Sequence, residues 1–512
     1  MRKPILSLAV VALALAACAS SSSSSGYVQP PDPQHHGSTA APPPRPAASP
    51  YGGVTYVDPG TNPTTDTNED RVSTFAMDVD TASYTIAQRY ADDGNLPDPA
   101  SVRVEEWVNA FDQGYRPPTD ATFAVHVDGA PAPVVGGTDL LLRIGIQARE
   151  SSERQRPDAA LTFVIDTSGS MARDDRLELV KDSLRKLVKA LGRGDSIAVV
   201  AFGDDARVVL PPTRATDEKT ILAAIDDLQP GGSTNLEAGL RLGYGLARET
   251  LLGDGIDRVI LASDGVANVG LTDADGILGQ IRQDASAGIQ LVAIGVGMGN
   301  YNDALLEQLA DQGDGFYAYV DTIDEARRLF VQDLTSTLDT VALDAKVQVD
   351  FDPAVVDTYR LIGFEDRAVA DNQFRDGRVA AGAIGAGHEV TALYALRLGR
   401  EARDADRDAS QAGRLATVTV RWTDPSTKRS SETSLDVDGR DLAASFRDTD
   451  PHFKLDAVVA AAAETFRDSP WIDGYRIQDV AEQANEIANQ LPQTDQVRDF
   501  LDLLQRAARL DG

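Results

Sequence analysis

The sequence predicts a doubly wound, mostly parallel α/β domain of Rossmann-like build, flanked by β-sandwich-like segments and followed by a helical C-terminal region. Three observations predict it. Unbroken apolar runs at 161–165, 197–202, 258–262 and 290–296 alternate with amphipathic helical stretches, and strands read this way when helices cover both faces of their sheet. On either side the pattern changes to period two, with Phe123, Val125, Val127 and Leu140, Leu142, Ile144, Ile146 before and Val347, Val349, Phe351 after. That alternation predicts half-buried antiparallel strands. From Pro451 onward, Leu455, Val458, Val459 and Ala462 form one helical stripe, and Phe500, Leu503 and Leu504 form another.

In chain order, residues 1–18 open with Arg2 and Lys3 before an apolar stretch, 5–17, too short to span a bilayer comfortably. The stretch ends in Leu15, Ala16, Ala17 and Cys18, which resembles the bacterial lipobox. That resemblance implies cleavage before Cys18, lipid attached to its sulfur, and a membrane anchor. Ala19 and Ser20 follow, without the Asp that favours inner-membrane retention, which implies the outer membrane of the cell envelope, facing the periplasm. Residues 19–70 hold a serine run at 20–25 and prolines at 30, 31, 33 and through 41–50, a composition expected to form a disordered tether.

The N-terminal flank, 71–156, is expected to hold a short strand at 73–77, helices at 84–91 and 101–111, and then strands. The α/β domain, 157–338, continues with a helix through Leu177, Val180, Leu184, Leu187, Val188 and Leu191. Residues 207–210 are expected to form an edge hairpin with 197–202. Helices at 217–228, 236–252, 302–311 and 323–338 and a strand at 316–320 complete the domain. A β-rich flank, 339–450, and a helical region, 451–512, close the chain. One economical reading folds both flanks into a single sandwich with the α/β unit inserted. The helix at 323–338 leads into the strand at 345–349, so its movement would pull on the inter-domain junction.

The composition excludes several classes. Across 512 residues there are 48 Lys+Arg against 79 Asp+Glu, a net charge of -31 and one cysteine. One cysteine rules out a disulfide framework, a four-cysteine zinc site and a CxxC redox centre. Strong acidity argues against nucleic acid, whose binding draws on Lys and Arg neutralising phosphates. The five histidines have no metal-ligand spacing, and His35-His36 reads as a solvated pair in the tether.

The chemistry concentrates where strands end. Immediately after 161–165 stand Asp166, Thr167, Ser168, Gly169 and Ser170; the later strand ends in Ser263, Asp264 and Gly265; between them Gly231, Gly232, Ser233 and Thr234 open a helix. Ligands of doubly wound folds bind outside the carboxyl ends of the strands. Two carboxylates and three hydroxyls are hard oxygen donors suited to Mg²⁺ or a similar cation, with Mn²⁺ and Ca²⁺ as alternatives. The competing reading makes this loop a turn in which Ser170 caps the next helix. On the metal reading, Asp166→Ala or Asp264→Ala removes a ligand from a surface rim and leaves the core packed.

These motifs resemble the von Willebrand factor type A domain and its metal-ion-dependent adhesion site. The resemblance implies that Ser168, Ser170 and Thr234 supply hydroxyls, and that Asp166 and Asp264 bind directly or through water. It also implies one open coordination position, filled by an Asp or Glu of a partner, here an unidentified envelope protein. Residues 73–84 and 104–109 resemble the N-terminal region of bacterial lipoproteins of this type, and the chain from about 340 resembles their C-terminal domain.

Other motifs carry less. Asp78 and Asp80 match a DxDxT phosphatase nucleophile motif only in part, because Ala82 stands where Thr is expected. Asp404, Asp406 and Asp408 open like an EF-hand loop, but Ala409 and Leu415 replace its Gly and Glu. Ser168 and Ser170 lack a G-x-S-x-G setting and a nearby His, so an enzyme is disfavoured. The favoured reading is a lipid-anchored, metal-dependent interaction module. The alternatives are a metal-assisted hydrolase and a scaffold whose metal only stabilises the fold.

Overall fold

The computed structural model describes residues 56, 58–77, 79, 81–131, 140–150, 157–252, 255–264, 274–297, 303–320, 329, 340–377, 381–399, 413–472 and 474–511. The leader with Cys18, most of the tether, Asp78, Asp80, the EF-hand-like carboxylates and, apart from Leu329, the helix expected at 323–338 lie outside them.

The tether expected as far as residue 70 ends earlier. β1 (Thr65–Asp66) already pairs with a strand from the far side of the chain. Asn62 Nδ2 donates to the Gly363 carbonyl at 2.7 Å, and Thr67 Oγ1 to that of Val356 at 2.6 Å. β2 (Val72–Ala76) follows, then α1 (Ala82–Asp92). The helix expected over 101–111 is shorter, with only Val104–Val108 (α2) α-helical. Arg103 stays extended as its N-cap, and its N–H donates to Ser83 Oγ at 2.8 Å.

β3 (Phe123–Ala130) and β4 (Leu140–Ala148) pair antiparallel. The α/β domain then runs β5 (Ala159–Asp166), α3 (Arg176–Ala190), β6 (Ser196–Phe202), β7 (Ala206–Arg214), α4 (Glu218–Asp226) and α5 (Leu236–Glu249). It continues through β8 (Ile256–Ser263), α6 (Ala274–Ser286), β9 (Ile289–Val296), α7 (Asp303–Gln312) and β10 (Tyr317–Val320). Its six strands lie in the order β10-β9-β8-β5-β6-β7, parallel except for the edge strand β7. Phe163, Ile165 and Val199 pack with α3 and α4, whereas Val164, Val200 and Val259 pack with α5 and α7. Every residue of β5 is therefore buried.

The second core draws on both flanks. β11 (Thr340–Phe351), β12 (Val356–Ile362), β13 (Ala383–Gly385), β14 (Glu389–Leu398), β15 (Arg414–Thr423) and β16 (Ser430–Asp438) follow the α/β domain. One sheet is ordered β1-β12-β14-β4-β3; the other is β13-β11-β15-β16, with β2 also on β11. Strands from before and after the α/β domain thus alternate in the same two sheets, and one apolar cluster from Phe75 to Leu442 fills the space between them.

A third layer covers the first of these sheets: α8 (Pro451–Phe466), α9 (Ile477–Glu486) and α10 (Asp495–Asp511). β4 is buried on both faces as a result, not on one. Leu140, Leu142, Ile144 and Ile146 face the sandwich core, while Leu141 joins the helical core and Arg143 pairs with Asp456 of α8 at 3.0 Å. α1 belongs to two cores at once. Ala82, Ile86 and Tyr90, four apart, join a core of the α/β sheet, and Tyr84, Ala87 and Ala91 join the helical one.

Candidate metal centre

β5 and β8 are neighbouring parallel strands, so Asp166 and Asp264 arrive at the same sheet edge. The loop after β5 is fixed mainly by backbone bonds. Thr167 donates through both N–H and Oγ1 to the Phe202 carbonyl, at 2.8 and 2.9 Å. Gly231 N–H donates to the Thr167 carbonyl at 2.6 Å, and Gly169 N–H to the Gly232 carbonyl at 3.0 Å. The loop carrying Thr234 is thereby stitched to the loop carrying Ser168 and Ser170. Gly232 has φ +87°, and a Cβ there would lie 2.9 Å from Asp204 Oδ2, so the turn admits only glycine without strain. Asn235 then caps α5 by accepting from Ala238 N–H at 3.1 Å.

The side chains form a connected set. Asp166 Oδ1 accepts from Ser168 N–H at 2.8 Å, and its Oδ2 accepts from Ser263 Oγ at 2.6 Å. Ser168 Oγ and Ser170 Oγ are 3.0 Å apart, and Ser170 Oγ donates to Asp264 Oδ1 at 2.9 Å. Ser170 therefore serves Asp264 rather than capping a helix. The short 3₁₀ turn Gly169–Asp175 has Ser168 at its N-cap, with no side-chain cap bond. Thr234 is buried at the start of α5.

The rim is less exposed than the sequence suggests. Asp166, Ser168, Thr234 and Asp264 are all at most 2% exposed. Burial pushes the Asp166 carboxyl up to about 6, against hydrogen bonds from Ser263 and Ser168 that pull it down. Among the described residues, no three His, Cys, Asp or Glu side chains gather as a metal group. A cation here would be held by two carboxylates and hydroxyl oxygens, a donor set that fits a hard divalent ion and no soft one.

Two further side chains were not singled out from the sequence. Asp204, just beyond β6, accepts from Ser233 N–H at 2.8 Å and from its Oγ at 2.6 Å, which holds its carboxyl below the usual range. Its place after a strand end was a usable signal. Arg176, the first residue of α3, donates from Nη1 to Asp264 Oδ2 at 2.8 Å with both side chains buried. That partner is 88 residues away, and no local pattern announces it.

Comparison with known proteins covers most of the chain from residue 52 onward. Residues 160–335 match the von Willebrand factor type A domain family, residues 336–510 match the YfbK C-terminal family, and residues 52–142 match a family described as von Willebrand factor. The chain is similar to the uncharacterized protein YfbK of Escherichia coli (strain K12), at 35% identity over 450 residues, spanning 84% of this chain and 77% of YfbK. It is 29% identical over 193 residues to the uncharacterized protein sll0103 of Synechocystis, spanning 37% of this chain and 44% of that protein. A solved structure titled von Willebrand factor type A from Catenulispora acidiphila is 17% identical, with a TM-score of 0.45, over 77% of this chain and 91% of that one.

Proposed function

Because this chain belongs to the family of bacterial von Willebrand factor type A proteins that share the flanking regions of YfbK, we propose that its α/β domain holds a divalent cation and uses it to capture a protein partner. Domains of this family act generally in protein–protein interaction. The ligands would be Asp166, Ser168, Ser170, Thr234 and Asp264, and the ion Mg²⁺, with Mn²⁺ or Ca²⁺ able to substitute. The cation would supply a Lewis-acidic position that an Asp or Glu of the partner completes. Lipid on Cys18 would anchor the chain to the outer membrane facing the periplasm, where the partner is another envelope protein and not a nucleic acid.

The observation that carries this reading is the convergence of oxygen donors: Ser168, Ser170 and Asp264 are joined by contacts of 3.0 and 2.9 Å. The buried Asp166 carboxylate ends the strand that leads into the loop of Ser168 and Ser170.

The test uses the full chain. Calorimetry should detect Mg²⁺ binding that Asp166→Asn abolishes, and chelation should release partners captured from crosslinked envelopes while the circular dichroism spectrum holds. Capture indifferent to chelator and to Asp166→Asn would contradict the reading. A chelator that collapses the melting temperature would instead favour the scaffold alternative.

A further inference from the structure

Arg176 sits against the candidate metal centre and belongs to no ligand set. Its Nη1 donates to Asp264 Oδ2 at 2.8 Å, while Asp264 Oδ1 accepts from Ser170 Oγ at 2.9 Å. Both charged side chains are at most 3% exposed. The guanidinium also has a built seat. Gly297, just past the end of β9, has φ +70°, and a Cβ on it would come within 2.8 Å of Arg176 Cδ and nearer still to Nε. Three elements therefore cooperate: α3 supplies the arginine, β8 leads to its carboxylate, and β9 ends in the glycine that makes room.

Charge counting gives this pair a consequence. Asp166 and Asp264 alone would present two negative charges to a cation, and Arg176 cancels one of them at a buried distance where screening is weak. Counting these three side chains, a divalent ion would then leave one net positive charge instead of none.

We propose that Arg176 is the charge-setting residue of this centre: it holds Asp264 when no cation is bound, lowers divalent-ion affinity, and leaves the loaded site cationic so that an anionic side chain completes it. The inference depends on the metal-binding reading given above. An arginine serving only as a structural support would make the opposite prediction, because its loss would misplace Asp264 and weaken metal binding.

Mg²⁺ titration of the full chain by calorimetry, with melting temperatures in chelator, separates these cases. Arg176→Gln removes the charge and keeps a donor; it should bind Mg²⁺ about tenfold tighter or more, and melt lower than wild type in chelator. Arg176→Lys restores the charge and should return affinity toward wild type. Gly297→Ala, which pushes the guanidinium off its seat without deleting it, should also tighten binding and serves if Arg176→Gln does not fold. Unchanged or weaker Mg²⁺ affinity in Arg176→Gln, or in Gly297→Ala standing in for it, overturns the inference while the metal reading stands. Failure of the wild type to bind Mg²⁺ overturns the metal reading, and this inference with it.

Discussion

At the residue scale, burial changes what a substitution costs. The sequence led to the expectation that Asp264→Ala leaves the core packed, because strand-end carboxylates read as surface groups. Asp264 is instead 1% exposed and paired with Arg176. Breaking a buried ion pair by removing one partner costs about 3–5 kcal/mol. Urea unfolding in chelator should therefore show both Asp264→Ala and Asp264→Asn less stable than wild type, with the Asn variant the milder because it keeps a hydrogen-bond acceptor; a wild-type midpoint in both would contradict the pairing. Asp456 offers a pH test. Burial pushes it up to about 7, despite the attraction of Arg143. The folded chain then keeps a proton that the unfolded chain releases near pH 4, so between those values stability falls as pH rises. Asp456→Asn should flatten that slope, and identical pH profiles for variant and wild type would count against it. The D-x-S-x-S run was legible because its residues are contiguous and follow an unbroken apolar strand. Arg176 was not, because an arginine opening a helix has no mark distinguishing a buried ion pair from a solvated face.

At the element scale, α5 carries a contrast that one substitution type exposes. A Cβ on Gly243 would collide with Val164 Cγ2 of β5, whereas one on Gly245 meets nothing within 4 Å. Gly243→Ala should lose about 1–3 kcal/mol by overpacking, while Gly245→Ala should gain up to about 1 kcal/mol from helix propensity. Thermal melts of the two variants should shift in opposite directions; a shared direction would mean that helix and strand do not approach this closely. Period alone located α1 and α8 but not their surroundings. α8 is buried at every position of 453–466, and its charges are matched one by one. Lys454 Nζ donates to the carbonyls of Arg447 and Thr449 at 2.9 and 2.8 Å, and Glu464 pairs with Arg360 and Arg467. Arg467 is the helix's own C-cap, but Arg360 comes from β12 and the carbonyls of Arg447 and Thr449 from the preceding turn, so a stripe drawn on one helix could not reveal that 453–466 lacks a wet face.

At the scale of the whole molecule, the flanks form one structure around the α/β domain. β3 and β4 precede that domain and β12 and β14 follow it, yet the four lie in one sheet. Arg367, between β12 and β13, reaches Asp311 of α7 at 3.4 Å, and α1 spans two cores. Alternating residues were legible as strands, but strand order depends on pairings across more than 200 residues that no local pattern encodes. The C-terminal helices are a layer of this body, not an appendage. Deleting 451–512 would uncover Leu141, Leu393 and Ala395 and leave Arg143 without Asp456. The truncated chain should be recovered insoluble or without a cooperative melting transition. A soluble product with an intact calorimetric transition would show the layer to be dispensable.

The decisive property of this chain is whether a cation binds where the strand-end loops meet. The most direct measurement is an anomalous difference map from crystals grown with Mn²⁺, recorded at the manganese edge. A peak is expected within coordination distance of Asp166, Ser168, Ser170, Thr234 and Asp264, either directly or through water, and it should be lost in Asp166→Asn. A well-ordered site with no anomalous peak at saturating Mn²⁺, or a peak bound only elsewhere on the chain, would contradict the metal reading.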